Sequence, residues 1–176
     1  MQGSALQFIG IVPFVTGVAI VLAAALHDVA ARTVPNWMAL ALVTTGLLMR
    51  IADGTVLSAL LAGISVFLAA AFCWRRGWMG GGDVKLLGAV ATLVPPYAVL
   101  TLLSFIAFSG GALALFYLAG RMFARKRSHA TFRRRPSSLT RRVLRAEAWR
   151  IRRGGPLPYA CAIAAGVVIT LFRTGV

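Results

Sequence analysis

Apolar residues along the chain are grouped into six runs, separated by short polar, glycine- or proline-containing segments. The runs cover residues of about 7–26, 37–51, 55–74, 84–94, 97–120 and 156–172. A transmembrane helix needs roughly 20 mainly apolar residues. Most runs reach this length alone or with their flanks, but the fourth rises only about 16 Å before Pro95 and Pro96. The pattern predicts an all-α, polytopic transmembrane helix bundle of about six spans. Four spans with two re-entrant pieces is the alternative.

Composition supports the membrane interpretation. The 176 residues are 59% hydrophobic and only 13% charged, with a mean hydropathy of +0.82. A soluble domain of this length needs more polar surface to cover itself. We expect a single membrane domain over residues 1–176. The first run lacks the preceding Lys or Arg of a signal peptide, so it is predicted to be a retained helix. Cys73 and Cys161 lie in or beside apolar runs without a CxxC pair, and no metal site or cofactor is predicted.

The positive charges predict the orientation. The net charge is +15, and the basic residues lie between apolar runs rather than on a polar domain, so nucleic acid is not a predicted partner. Lys and Arg concentrate in cytoplasmic loops of membrane proteins. Placing the N-terminus outside puts 17 of the 19 Lys and Arg inside and leaves only Arg50 and Arg173 outside. Both termini are therefore predicted to lie outside the cytoplasm.

The most basic segment is a predicted cytoplasmic loop at 121–155, which holds 13 of these charges. Its second half could form a short basic helix with Leu139, Val143, Ala146 and Trp149 on one side. Such a helix would lie on anionic membrane lipid, with each Lys or Arg near the surface contributing about 1 kcal/mol. An ordinary positive-inside loop explains the same charges, and both interpretations stay open.

Two of the four acidic residues are candidates for chemistry. Asp28 closes the first run and Asp83 opens the fourth, and the predicted topology puts both at cytoplasmic helix ends. An ionisable side chain near the bilayer is costly unless solvated or paired. Two adjacent carboxylates share one proton, so one can activate water while the other polarises a carbonyl. The helix dipole favours the anion at Asp83, which is therefore the expected base, and Asp28 the expected proton holder.

Structural roles are the alternative for each aspartate. Asp83 is a suitable N-cap for the helix that follows, and Asp28 could cap a loop or pair with Arg32. Asp53, beside Gly54, is expected to be a turn residue on the opposite side. Glu147 in the basic segment is expected to form salt bridges. Gly80, Gly81 and Gly82 leave bare backbone beside Asp83, which permits close approach of another segment but is also typical of a flexible turn.

The residues around both aspartates resemble the motifs of a known family. The first segment contains Asp28, Arg32, Val34, Pro35 and Asn36 in the form D-x3-R-x-V-P-N. The second reads Gly80-Gly81-Gly82-Asp83-Val84-Lys85-Leu86. Together they resemble the type IV prepilin peptidase family of G-x-G-D membrane aspartyl proteases. The resemblance extends from the first run to about residue 120, and Pro158-Tyr159-Ala160 at the start of the last run is also similar.

This resemblance implies a metal-independent endopeptidase of the bacterial inner membrane that acts at the cytoplasmic face. Its substrate would be a prepilin or pseudopilin precursor, cut after a short basic leader and before an apolar helix. Asp28 and Asp83 would be catalytic, with supporting roles for Gly80, Gly82, Lys85, Arg32, Pro35 and Asn36. Larger members add CxxC motifs and methylate the product. This chain resembles the short, peptidase-only members of Flp/Tad-type pili, so methyltransferase activity is not expected.

Two other functions compete with this one. A non-enzymatic component of a pilus or secretion system could dock partners through the basic segment. A small ion or proton carrier could use the aspartates, although neither lies mid-run as that role favours. The precursor, its cleavage residue and the oligomeric state are not defined by the sequence.

Overall fold

The computed structural model describes residues 2–126 and 157–174, which form six α-helices. They are α1 (Gln2–Ala31), α2 (Asn36–Ala52), α3 (Val56–Arg75), α4 (Gly81–Ala91), α5 (Val99–Lys126) and α6 (Tyr159–Thr174). A 3-10 turn at Pro96–Ala98 precedes α5. No strand occurs within these two ranges. The all-α prediction is confirmed for this part of the chain.

Three of the described helical segments are long and apolar enough to cross a membrane: Val12–Ala31, Val56–Arg75 and Pro96–Gly120. Asn36–Ile51 and Tyr159–Thr174 are shorter apolar helices. Large apolar side chains cover the outer faces, and Leu100, Phe108 and Phe172 are each more than three-quarters exposed. Such a surface is typical of a protein that lipid surrounds. The number of spans and the side on which the termini lie stay predictions.

The fourth apolar run forms α4, a short helix in the interior of the bundle. Its buried stretch is continuous from Leu86 through Pro95. The helix rises about 16 Å, roughly half of a bilayer's hydrocarbon thickness. It ends because Pro95 and Pro96 cannot continue it. The turn that follows satisfies part of its backbone internally, with the Ala98 N–H donating to the Pro95 carbonyl at 2.8 Å. Irregular backbone at membrane depth needs this kind of internal pairing.

Glycines allow α4 to lie close to both of its neighbours. A Cβ at Gly88 of α4 would come 2.8 Å from the Phe67 Cβ of α3. A Cβ at Gly63 of α3 would come 2.7 Å from the Thr92 Cγ2. The Thr92 backbone likewise leaves no room for a Cβ at Gly46 of α2, which would come 2.7 Å from the Thr92 carbonyl carbon and 2.8 Å from its oxygen. Small residues at helix contacts are how membrane helices pack tightly.

One end of the bundle carries the starts of α2, α4 and α6, and we call it the upper end. Contacts identify it: Trp74, near the end of α3, lies beside Gly81, and Tyr159 at the start of α6 lies against Gly110 of α5. Three tryptophans at this end are exposed, namely Trp37, Trp74 and Trp78. Exposed tryptophans concentrate where a membrane meets water. The upper end therefore has the composition of a membrane interface.

Helix bounds refine two expectations about polar segments. α5 continues through Lys126, so the first residues of the segment expected as a loop at 121–155 are helical. Most of that segment, including its predicted basic helix and Glu147, lies outside the described residues. Asp53 ends α2 and Gly54 follows with a φ of +65°, which confirms the expected turn. Asp53 also pairs with the buried Arg50 at 2.8 Å.

Candidate active site

The first motif forms the end of α1, a tight turn and the start of α2. Asp28 lies in the last turn of α1 and is only 8% exposed. Arg32 follows the helix and adopts a φ of +56°, and its N–H donates to the Asp28 carbonyl at 2.8 Å. This left-handed conformation costs a residue other than glycine about 1–2 kcal/mol. The turn is closed by a hydrogen bond of 2.7 Å between His27 Nδ1 and the Thr33 carbonyl. The strained backbone conformation of Arg32 therefore lies only four residues after Asp28.

The second motif forms the start of α4, and it places Asp83 differently from one expectation. Gly80, not Asp83, is the N-cap of the helix, so the N-cap alternative for Asp83 is wrong. Asp83 is the third residue of α4, and its carboxylate accepts a hydrogen bond from the Gly80 N–H. This is half of the reciprocal arrangement of a capping box. A Cβ at Gly80 would lie 3.0 Å from Asp83 Oδ2, so a side chain there would crowd the carboxylate.

The two motif segments contact each other directly. Gly82 lies against Val34, where a Cβ would meet the Val34 Cγ2 at 3.5 Å, an ordinary contact distance. Lys85 Nζ donates to Asn36 Oδ1 at 2.8 Å, across 49 residues of sequence. Pro35 supplies the extended conformation, with φ −60° and ψ 142°, from which α2 begins. The packing of one motif on the other therefore holds the end of α1 beside the start of α4.

The Lys85–Asn36 hydrogen bond gives a test of this contact that does not depend on activity. We expect Lys85→Met and Asn36→Leu each to lower thermal stability modestly, and the double variant to lose little more than either. The expected coupling energy is about 1 kcal/mol, because the bond involves a charge but is exposed to solvent. A double-mutant cycle on the purified protein measures it. Additive losses would show that the bond contributes nothing to the contact.

Asp28 and Asp83 interact electrostatically across α1 and α4. Burial and the charge of Asp28 disfavour the Asp83 anion, whereas the Gly80 N–H and the Arg32 guanidinium favour it. When two carboxylates share a site they titrate as a pair, and the pair holds a single proton over a wide pH range. The surroundings of Asp83 therefore act in both directions. The expected assignment of Asp83 as base and Asp28 as proton holder stays a prediction.

Tyr159 is a further residue at this site; the sequence analysis noted it only within the similar segment Pro158-Tyr159-Ala160 and gave it no role in the site. It begins α6, is half-buried and interacts electrostatically with Asp83. Its ring lies on Gly110 of α5, where a Cβ would come 3.2 Å from the hydroxyl oxygen. A signal was present in the sequence, because the predicted topology starts the last run on the side that holds both aspartates. On that basis the Tyr159 hydroxyl could have been predicted as a polar group of the site.

The remaining candidate groups lie elsewhere or contribute packing. Residues 2–126 and 157–174 contain no group of three or more His, Cys, Asp or Glu placed to hold a metal ion. Neither Cys73 nor Cys161 forms a disulfide within the described ranges, and Cys161 Sγ lies 3.9 Å from the Ala25 carbonyl. Asp53 lies at the opposite end of α2 from Asn36. The chemistry available at the upper end is therefore that of two carboxylates, with a guanidinium and a phenol close to Asp83.

Fold and site define an apolar helical protein of the membrane-embedded class, in which two aspartates from different helices interact electrostatically at one end. The chain belongs to the type IV leader peptidase family, whose family model matches residues 15–115. That range includes both aspartates and both motif segments. Membership supports a leader-peptidase-like protease, of the aspartic type that this family represents. Comparisons with curated proteins and with solved structures give no match.

Proposed function

We propose that this protein is a membrane aspartic endopeptidase that removes the leader peptide of prepilin-like precursors by a two-aspartate, activated-water mechanism. The observation that carries the proposal is the contact between the two motif segments, which holds Asp28 and Asp83 within electrostatic reach of each other. Family membership supports the substrate class in general terms. Lys85, Asn36, Pro35 and Gly82 act by holding this arrangement, and Gly80 leaves room for the Asp83 carboxylate.

The chemistry follows from one shared proton. The ionised carboxylate removes a proton from water, and the water oxygen adds to the scissile carbonyl carbon. The protonated carboxyl donates its proton to the carbonyl oxygen, which gives a neutral tetrahedral diol. The carboxyl that took the proton from water then donates it to the amide nitrogen as the C–N bond breaks. The other carboxylate, which had protonated the carbonyl oxygen, takes a proton back from the diol. The products are a leader with a new carboxylate and a mature chain with a new amine, and the aspartate pair is regenerated.

The bilayer position of the site supports cleavage at a membrane boundary. Arg32, Arg75 and Arg76 lie at the upper end with the exposed tryptophans, and the positive-inside tendency then favours the cytoplasmic side. A precursor with an apolar helix could remain in the bilayer while its leader junction meets Asp28 and Asp83. We therefore propose that the active site faces the cytoplasm at the bacterial inner membrane.

The direct test is cleavage by the purified protein in liposomes. The substrate is a small pilin-like precursor with a basic leader, a glycine and an apolar helix. We expect a faster-migrating product on a gel, and N-terminal sequencing of that product gives the cleavage position. Intact precursor after prolonged incubation with well-folded enzyme would contradict the proposal. A non-enzymatic assembly role instead predicts that deleting residues 125–153 abolishes function while the aspartate variants retain it.

A further inference from the structure

A groove on the lipid-facing side of the bundle runs along α4 between α2 and α3. It has a volume of about 310 Å³ and an almost entirely apolar lining. Its lining includes Leu40 of α2, Leu60 and Phe67 of α3, Gly88 of α4 and Thr92, which caps the end of α4. Among the described residues that line it, Lys85 at the upper end is the one that carries a charge. Neither the family match nor the proposed mechanism uses this groove.

We infer that this groove docks the apolar helix of the precursor, on the mature side of the scissile bond. The inference rests on the proposed function and specifies how that site selects its substrate. Along α4 the groove extends from Lys85 to Thr92, or about 10 Å at 1.5 Å per residue. That length is about two turns of a docked helix. An apolar helix places side chains on one face at such spacings, which is the usual form of helix-in-groove recognition.

The size of the groove sets what it accepts. Its 310 Å³ is about twice the 150 Å³ cavity that holds one benzene molecule in a protein interior. Two large apolar side chains from successive turns of the precursor therefore fit. α3 and α4 approach closely at Gly63 and Gly88, so backbone atoms form part of the groove surface there. Because these glycines have no side chains, the groove stays open beside Phe67.

Charge orients the precursor in the groove. Lys85 is exposed at the upper mouth, and its ammonium is held there by the hydrogen bond to Asn36. A basic leader is repelled from this mouth, whereas an uncharged apolar segment is not. The leader is therefore excluded from the groove, and the uncharged apolar helix can occupy it below Lys85.

The position of the groove relative to Asp83 predicts a spacing in the substrate. Asp83 and Lys85 are two residues apart on α4, which places them on opposite sides of the helix, about 200° apart. A precursor backbone must pass the N-terminal end of α4 to connect them. A crossing of about 10 Å needs about three extended residues. The docked side chains should therefore begin about four residues after the cleaved bond.

The test compares two substrates and a matched pair of variants. Ala39→Phe fills the groove, and Ala69→Phe adds the same side chain on the exposed face of α3 that points away from it. The substrates are a full precursor and a short peptide that ends three residues after the cleavage position. For Ala39→Phe we expect roughly ten-fold lower kcat/KM on the full precursor, mainly through KM, and no change on the short peptide. Ala69→Phe should leave both rates unchanged.

Each other outcome has a separate meaning. Equal losses on both substrates, or no loss on either, would overturn the groove assignment, and the first is expected if the groove holds a lipid acyl chain. Cleavage of neither substrate by the unmodified protein would overturn the proposed function instead. A photoreactive phenylalanine analogue at position 67, which lies against Gly88 about one turn below Lys85, should crosslink the precursor helix about one turn beyond its fourth residue when placed in the Asp83→Asn background. The same analogue at position 69 should not.

Discussion

We expect replacement of Asp28 or Asp83 with Asn to abolish precursor cleavage, by at least about 10³-fold in kcat for either substitution. The amide has nearly the same shape as the carboxyl, but it can neither accept the proton of water nor donate an acidic proton. Because the two carboxylates act as one unit, the double variant should be no slower than either single variant. Timed cleavage of a precursor in liposomes, followed on a gel, measures all three rates.

Asp53→Asn is the matched control for this experiment. Asp53 lies at the far end of α2, half-exposed, and an amide oxygen there can still accept a hydrogen bond from Arg50. Cleavage should therefore remain within about two-fold of the unmodified protein. If both Asp28→Asn and Asp83→Asn retain substantial activity at normal protein levels, the two-aspartate mechanism is wrong. Loss of activity in all three variants would indicate a folding effect rather than catalysis.

Much of the fold could be predicted because lipid imposes a simple rule on the sequence. The apolar runs at 37–51 and 55–74 correspond to α2 (Asn36–Ala52) and α3 (Val56–Arg75), within a residue at each end. The first run differs more, since it stops near 26 whereas α1 continues through Ala31. Asp28 is polar but buried, and His27 bonds to the Thr33 carbonyl, so the helix persists where hydropathy falls. The apolar runs thus indicate which residues contact lipid. They do not define where a helix ends, because helix ends depend on local backbone conformation and packing.

The fourth run shows how a short apolar segment acquires a structural role. Its length was too small for a span, and Pro95 and Pro96 indicated where it must stop. The structure places it inside the bundle, where Gly46, Gly63 and Gly88 allow neighbouring helices to approach it. How deeply α4 is buried depends on which helices surround it. The pattern of apolar residues along the sequence does not contain that information.

The site was predicted in part, for a similar reason. Asp28 and Asp83 could be assigned to one end of the bundle because topology alternates from helix to helix. The contacts that hold them there depend on side-chain geometry at long range, as in the Lys85–Asn36 hydrogen bond. The left-handed backbone of Arg32 gave no signal, since arginine rarely adopts it and no glycine marks the position. Tyr159 was separated from Asp83 by 76 positions, and only the position of α6 in the bundle brings them together.

Gly166→Ala should destabilise the bundle strongly, through the contact between α5 and α6. A Cβ at Gly166 would lie 2.7 Å from the Ile106 backbone nitrogen and 2.9 Å from its Cα. The Ile106 backbone cannot move aside as the end of a flexible side chain can. The added methyl group therefore forces α5 and α6 apart. We expect a loss of about 2–3 kcal/mol in stability, despite the higher helix propensity of alanine. Thermal unfolding in detergent, followed by circular dichroism, measures this change.

The same substitution on the outer surface of α5 separates packing from propensity. Gly111 has nothing within 4 Å of an added Cβ, so Gly111→Ala should be neutral or stabilising by up to about 1 kcal/mol. Adding Ile106→Ala to Gly166→Ala should not restore stability, because the closest fixed contacts are with backbone. Rescue by that second change would show that only the Ile106 side chain opposes a larger residue. Since α6 also positions Tyr159 against Gly110, separation of α5 from α6 should reduce cleavage in any Gly166→Ala protein that remains folded.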